Sequence, residues 1–374
     1  MGFKKGESLK KTYVTSPYLP PIEEFYDYLK IIWNNRQLTN NGPLHQQFER
    51  ELSNYLGVKH VSLVNSATSG LMIALEALGA KGEIITTPFS FIATSHVIKW
   101  NGSIPIFIDT DKNFGNIDTS LLEKKITSST KGILAVHNYG IPGDLKAMNK
   151  ISNKLSIPLI YDAAPGMGVK VGGKSLLEYG DCSVVSFHAT KVFTTFEGGA
   201  IISKTKSQKE KIDKIKNFGI ESETKVKYYG INGKMSEFNA ALGILQLKYV
   251  DQIIDLRKKV YNSYRQLINK NAPCRLLKIP EHISYNYAYC AIEFIDGFKM
   301  REKAYKYLKQ KNIITRKYWY PLISEQNIYD LSKNKNSLRN AKKLSERVLF
   351  LPIFPDLDES TIVYISNILN NLKP

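Results

Sequence analysis

VKHVSLVNSATSGLMIALEALGAKGEIITTPFSFIATSHVIKWNGSIPIFI, residues 58–108, alternates between two periods. Residues 58–64 form a short, β-branched apolar run, the composition of a buried strand. Helical spacing follows over 68–78, a second strand over 83–86, a second helix over 92–100 and a third strand over 104–108. Strands separated by helices read as successive units of a mostly parallel sheet. Upstream, Leu44, Phe48, Leu52 and Tyr55 share one helical face over 44–56, and Gly57 ends it. Downstream, 132–136, 158–161, 184–187 and 199–203 add strands and bring the expected sheet to seven. Beyond residue 250 the pattern changes. A long basic helix over 251–269 leads into tyrosine-rich strands and helices. A chain of 374 residues exceeds one compact core. The expected fold is therefore α/β, with a large domain at 12–250 and a smaller C-terminal α+β domain at 251–374.

Composition narrows the function. Hydrophobic residues at 43% and charged residues at 23% suit a soluble globular protein. The longest apolar runs, such as 104–108 and 157–160, are too short to span a bilayer. The polar, basic opening at 1–11 does not read as a secretory signal. Cys182, Cys274 and Cys290 form no paired spacing, which suggests a reduced, cytoplasmic chain. His45, His60, His96, His137, His188 and His282 show no metal-ligand spacing, so no metal is expected. The net charge of +18 raises the question of nucleic acid. The lysines are scattered, however, and the densest run, 204–216, reads as a solvated helix face. No nucleic-acid partner is expected; part of the charge can attract an anionic substrate and the rest keeps the surface wet.

Three features fall at the carboxyl ends of expected strands, where open α/β sheets place ligands. Asn65-Ser66-Ala67-Thr68-Ser69-Gly70 follows a strand and opens a helix, a place for a phosphate. Alone it reads more readily as a plain N-cap. Asp162 follows the apolar run 157–161 and can pair with a protonated ring nitrogen, although a helix-capping Asp is the commoner use. The third feature is Ser183-Val184-Val185-Ser186-Phe187-His188-Ala189-Thr190-Lys191, with Glu197-Gly198-Gly199 behind it. It delivers onto a loop a lysine flanked by apolar and hydroxyl residues. A lysine partly withdrawn from water becomes nucleophilic, as Schiff-base formation requires. The rival motif, Gly168-Val169-Lys170-Val171-Gly172-Gly173-Lys174-Ser175, matches a nucleotide-binding P-loop in letters alone. Val169-Lys170-Val171 alternates like a strand and Gly172-Gly173 reads as a hairpin turn.

Together with Leu38-Thr39-Asn40-Asn41-Gly42-Pro43, Thr87-Pro88-Phe89-Ser90-Phe91, Tyr161-Asp162-Ala163-Ala164 and the run 231–241 (INGKMSEFNAA), these motifs resemble the DegT/DnrJ/StrS-type sugar aminotransferases. Those are fold-type I enzymes that use pyridoxal 5′-phosphate (PLP) on nucleotide-linked keto sugars. The resemblance runs from about residue 14 to 368. It implies that Lys191 forms the Schiff base with PLP and shuttles the proton. It also implies that Asp162 pairs with the pyridine nitrogen, that Ser186 and the Thr68 and Ser69 amides hold the phosphate, and that Phe91 covers the ring. Asn232 would reach the cofactor phosphate of a neighbouring subunit, so a homodimer with shared sites is implied. The donor would be L-glutamate, with pyridoxamine 5′-phosphate formed within the cycle. Two positions depart from the family pattern. Pro165 stands where His or Gln usually approaches the ring hydroxyl, and Lys234 where Arg is frequent. A sister subgroup carries histidine in place of the lysine and dehydrates; Lys191 argues against that chemistry.

The segments 14–21 (VTSPYLPP), 38–43, 231–235 and 318–322 (YWYPL) resemble the VioA-type subgroup. Its members turn dTDP-4-dehydro-6-deoxy-D-glucose into dTDP-4-amino-4,6-dideoxy-D-glucose for surface polysaccharide such as O-antigen. Tyr318 and Tyr320 are candidates for the sugar or nucleotide pocket, or equally for core packing. A 3-aminotransferase acting on dTDP-3-dehydro-6-deoxyhexose is the close alternative, and uridine-linked sugars are a further one. A non-catalytic regulator that binds PLP or a sugar nucleotide is the alternative of a different class.

Overall fold

A computed structural model describes residues 11–329 and 337–373; of the basic opening, residues 1–10 lie outside this range. Two helices precede the sheet, α1 (Ile22–Asn35) and α2 (Pro43–Leu56). Sequence reading did not anticipate α1. Its apolar stripe, Phe25, Tyr28, Leu29 and Ile32, packs on the large core, while Ile22, Tyr26 and Trp33 on its other sides are exposed and blur the pattern. Proline opens α2 at its first turn, where a missing N–H costs nothing, and Gly57 closes it with φ 67°.

The large sheet follows in chain order: β1 (Val61–Val64), α3 (Ala67–Ala77), β2 (Glu83–Thr86), α4 (Ala93–Trp100), β3 (Ile104–Phe107), the single turn α5 (Leu122–Lys125), β4 (Thr130–Val136), α6 (Leu145–Leu155) and β5 (Leu159–Asp162). The small hairpin β6 (Lys170–Val171) and β7 (Lys174–Ser175) interrupts it before β8 (Cys182–Ser186) and β9 (Gly199–Ser203). The seven strands lie in the order β1-β9-β8-β5-β4-β2-β3. Five neighbours run parallel, from β8 to β3. β9 runs against both β1 and β8. The mostly parallel α/β sheet read from sequence is the one observed. Its strands are mostly buried and apolar because both faces are covered. On one face Leu63, Ile85, Ile133 and Leu159 pack with Phe48 and Leu52 of α2; on the other Val64, Ile84, Leu134, Ile160 and Val184 pack with Leu71 and Leu75 of α3. The strand read as 58–64 starts at Val61, because the Val58 amide closes α2 onto the Ser53 carbonyl at 3.1 Å. The P-loop look-alike is a hairpin: Gly172 and Gly173 have φ 56° and 83°, the double positive φ of a tight two-residue turn.

After α7 (Lys206–Ile215) and the ribbon β10 (Ile220–Ser222) and β11 (Lys225–Val226), α8 (Glu237–Leu247) packs on α2. The buried Glu237 carboxylate accepts the Leu44 and His45 amides, each at 2.8 Å, and so caps α2 from across the chain. α9 (Val250–Leu267) then leads to β12 (Cys274–Leu276), β13 (Ile283–Ser284), β14 (Cys290–Phe294), α10 (Phe298–Gln310), α11 (Arg339–Arg347), β15 (Val348–Leu351) and α12 (Glu359–Asn370). A three-stranded antiparallel sheet, β12-β14-β15, carries a second core of Val260, Tyr264, Ile292, Phe294, Leu349 and Ile365. A strand pairing and a helix cap are among the contacts that tie this part to the residues before 250. β13 pairs with β6, and Asp109 caps α11 by accepting the Asn340 and Ala341 amides, each at 2.9 Å. No helix among the described residues is long and apolar enough to cross a membrane.

Two histidines are sealed inside this frame. Burial lowers His45 and His137 to about 3 from the ordinary 6.5, and the Lys216 charge adds to the effect at His45. Both are neutral in the native chain, whereas the unfolded chain protonates them below about 6.5. Between these values the unfolded state holds more protons, so stability falls as pH drops, by up to about 1.4 kcal/mol per pH unit for each histidine. Denaturant unfolding at pH 7 and pH 5 checks this: wild type should lose stability on acidification, and His45→Gln should lose less.

Candidate active site

The carboxyl ends of β4, β5 and β8, the start of α3 and the loop after β8 surround one cavity of about 340 Å³. Asp162, the last residue of β5, forms its floor. One oxygen, Oδ2, accepts the Thr94 hydroxyl at 2.7 Å, and Oδ1 accepts the Ala164 amide at 3.2 Å. Thr94 is in turn 2.7 Å from the Ser90 hydroxyl. Burial pushes the Asp162 carboxyl above its ordinary range, against these two hydrogen bonds and the positive charge of Lys191. It is thus a buried carboxylate whose surroundings favour a cation at its side. A protonated ring nitrogen is such a cation.

Ser186 ends β8, and its hydroxyl accepts the His188 amide at 3.3 Å. Lys191 sits on the following loop, its amide bonded to the His188 carbonyl at 2.9 Å, and lines the same cavity. The His188 ring is held by Thr190 at 2.8 Å and lies 3.5 Å from a Glu197 oxygen. Ser66 caps α3 by accepting the Ser69 amide at 3.1 Å. Among the described residues no acceptor takes the Ala67 and Thr68 amides, which open the helix beside the cavity. Gly199 makes room there, since a side-chain carbon at that position would lie 2.9 Å from the Ala67 nitrogen. Free amides at a helix start, next to a lysine and a buried carboxylate, suit a ligand with a phosphate at one end and a basic ring at the other.

Of the residues singled out from sequence, Thr68, Phe91, Asp162, Ser186, Lys191 and Tyr318 line this cavity. Ser69 does not. Its amide serves the Ser66 cap, and its hydroxyl bonds the Asn65 side chain at 2.5 Å and the Ser66 carbonyl at 2.8 Å. Asn232 is exposed on its loop, and its carbonyl accepts the Asn65 side chain at 3.0 Å. Tyr320 lines a neighbouring pocket and packs its ring 4.6 Å from the Arg301 guanidinium. Pro165 lies in the cavity wall with its carbonyl accepting Asn286 at 2.7 Å; its ring offers no donor. Lys234 donates to Asn217 at 2.6 Å and lies over the Phe218 ring.

Sequence reading missed Asn138, Tyr289 and Trp319, which also line the cavity. Trp319 stands 5.8 Å from Phe91 and 4.6 Å from Tyr318, ring to ring. Its indole N–H donates to the Asn138 carbonyl oxygen at 3.2 Å. The Asn138 amide donates to the Phe89 and Gly115 carbonyls at 3.0 and 2.6 Å, so the tryptophan rests on a fixed support. The backbone at 317–322 is irregular and brings Trp319 as well as Tyr318 to the cavity. Among the described residues no group of three or more His, Cys, Asp or Glu could hold a metal ion.

Comparison with known proteins accords with this geometry. The chain is 44% identical to a dTDP-4-amino-4,6-dideoxy-D-glucose transaminase of Shigella dysenteriae, over 97% of this chain and 100% of that one. An Escherichia coli protein of the same name is 44% identical over 95% of this chain and 97% of its own. Among solved structures, DesI in the presence of its TDP-sugar product superposes with a TM-score of 0.92 at 28% identity, covering 97% of this chain and 93% of that one. The model of the DegT/DnrJ/EryC1/StrS aminotransferase family matches residues 21–370. The chain belongs to that family, as a fold-type I aminotransferase whose cofactor is pyridoxal 5′-phosphate.

Proposed function

We propose that this aminotransferase moves the amino group of L-glutamate to C4 of dTDP-4-dehydro-6-deoxy-D-glucose, giving dTDP-4-amino-4,6-dideoxy-D-glucose. The observation that carries the reading is the match, at 44% identity and nearly full length, to two transaminases named for that product. The aromatic wall of Phe91, Tyr318 and Trp319 at the cavity supports it, since sugars and bases stack on such rings.

Roles for individual residues follow from position. Lys191 holds the cofactor between turnovers and, once released, carries a proton between the donor's α carbon and the cofactor's C4′ carbon. Asp162 keeps the ring nitrogen protonated, because its own burial makes a cationic partner favourable. Bound PLP supplies an electron sink for the charge left at the donor's α carbon. The free amides of Ala67 and Thr68, with the Ser66 and Ser186 hydroxyls, receive the phosphate. Tyr318 and Trp319 orient the sugar nucleotide.

The working unit in this reading is a cytoplasmic homodimer, with Asn232 serving the neighbour's site. Tyr229 and Phe218, on either side of it, are 91% and 49% exposed, an aromatic surface of the kind a partner covers. The three cysteines are free and buried, in keeping with a reducing compartment. The division into 12–250 and 251–374 is read here as a seam along α9, whose Val250 and Ile254 join the first core while Val260 and Tyr264 join the second.

Two outcomes are expected. The purified protein carries a visible cofactor band that fades with L-glutamate; Lys191→Ala loses turnover by roughly 10²–10⁴-fold or more, followed by stopped-flow absorbance. Incubated with glutamate and the 4-keto or 3-keto dTDP sugar in parallel, the enzyme aminates the 4-keto sugar, as NMR of the product shows. Turnover of the 3-keto sugar alone overturns the assignment.

A further inference from the structure

A second cleft, of about 790 Å³, opens where the loop after β3 meets β12 and α11. It shares no lining residue with the active cavity. Six cationic side chains surround it, Lys112, Arg275, Lys278, Arg339, Lys343 and Arg347, against one carboxylate, Glu293. Glu293 is taken up by Arg275 at 2.9 Å and Arg347 at 3.8 Å, and Lys278 by Glu281 at 3.1 Å. Among the described residues no carboxylate lies within ion-pair distance of Lys112, Arg339 or Lys343. Phe114, Leu277 and Leu344 supply apolar surface between the charges.

Like charges gathered round a concavity repel one another and focus the field inward. The helix start beside them adds nothing, since Asp109 already occupies the Asn340 and Ala341 amides. Lys112, Arg339 and Lys343, without a carboxylate partner among the described residues, are therefore the binding capacity of the cleft. Their charge calls for a multiply charged anion, and the volume and apolar surface for one that carries a ring. We propose that this cleft is a second ligand site, separate from the active cavity, that binds a nucleoside triphosphate. The phosphates face Lys112, Arg339 and Lys343, and the ring faces Phe114 and Leu277. The proposal does not depend on which sugar the enzyme aminates.

The test uses the holoenzyme and isothermal titration with dTTP. Wild type should bind dTTP saturably. Lys343→Glu and Arg339→Glu should each weaken binding roughly tenfold or more, the worth of one charge-assisted contact. Lys342→Glu reverses the charge of an exposed residue on the same helix that does not line the cleft, and should leave affinity unchanged. All three variants should keep the visible cofactor band, which reports an intact fold and active site. Inorganic triphosphate should bind more weakly than dTTP. Absence of saturable binding overturns the site, as does an equal loss in Lys342→Glu and Lys343→Glu. Equal affinity for inorganic triphosphate overturns the nucleoside assignment.

Discussion

A carboxylate withdrawn from water is costly unless something compensates its charge, and Asp162 sits in that position at the end of β5. A threonine hydroxyl and one backbone amide offset part of the cost. The remainder makes the cavity selective for a cationic group. The surrounding fold serves this arrangement: parallel β4 and β8 flank β5, so Val136 and Val184 stand beside Asp162 with Ser186 two residues further along β8, and α4 brings Thr94 down onto the carboxylate. Lys191 comes from the loop that leaves β8 next door.

Much of this was legible in the letters. β2 and β9 fall on the residues read as strands, because short apolar runs bounded by glycine or a polar turn leave few alternatives. Asp162, Ser186 and Lys191 could be placed because strand ends in an α/β sheet are predictable from the alternation itself. Failures came where a local rule was overridden or applied one residue off. Ser69 was taken for a phosphate donor, yet a capping serine consumes the third amide of its helix and leaves the first two free, so Ala67 and Thr68 were the better choice from capping alone. Tyr320 was grouped with Tyr318 as a ring for sugar or base stacking, but it lines a neighbouring pocket. Nothing in the sequence joins Trp319 to Asn138, which lie far apart along the chain.

Charge gives the same lesson at larger scale. Along the sequence the basic residues look evenly spread, and most of them are indeed solvated. Residues 112, 275 and 343 become neighbours only in the fold, where Asp109 pins α11 beside the loop after β3 and β12 joins them at the same cleft. A one-dimensional scan for basic clusters finds the run at 204–216 instead, where Lys209, Lys214 and Lys216 are already engaged by acidic partners.

The reversed strand β9 has a consequence for how the molecule is made. β1 has β9 as its neighbour in the sheet, and β9 alone joins it to β8. The cradle at the start of α3 is therefore synthesised early but is held beside the lysine loop only after residue 203 has left the ribosome. Until then the growing chain has the β2–β3 edge and α3 without the strand that locks them together. A nascent chain of this enzyme cannot grip a phosphate and a lysine-bound carbon at the same time before β9 has emerged, so cofactor loading belongs after that point of translation.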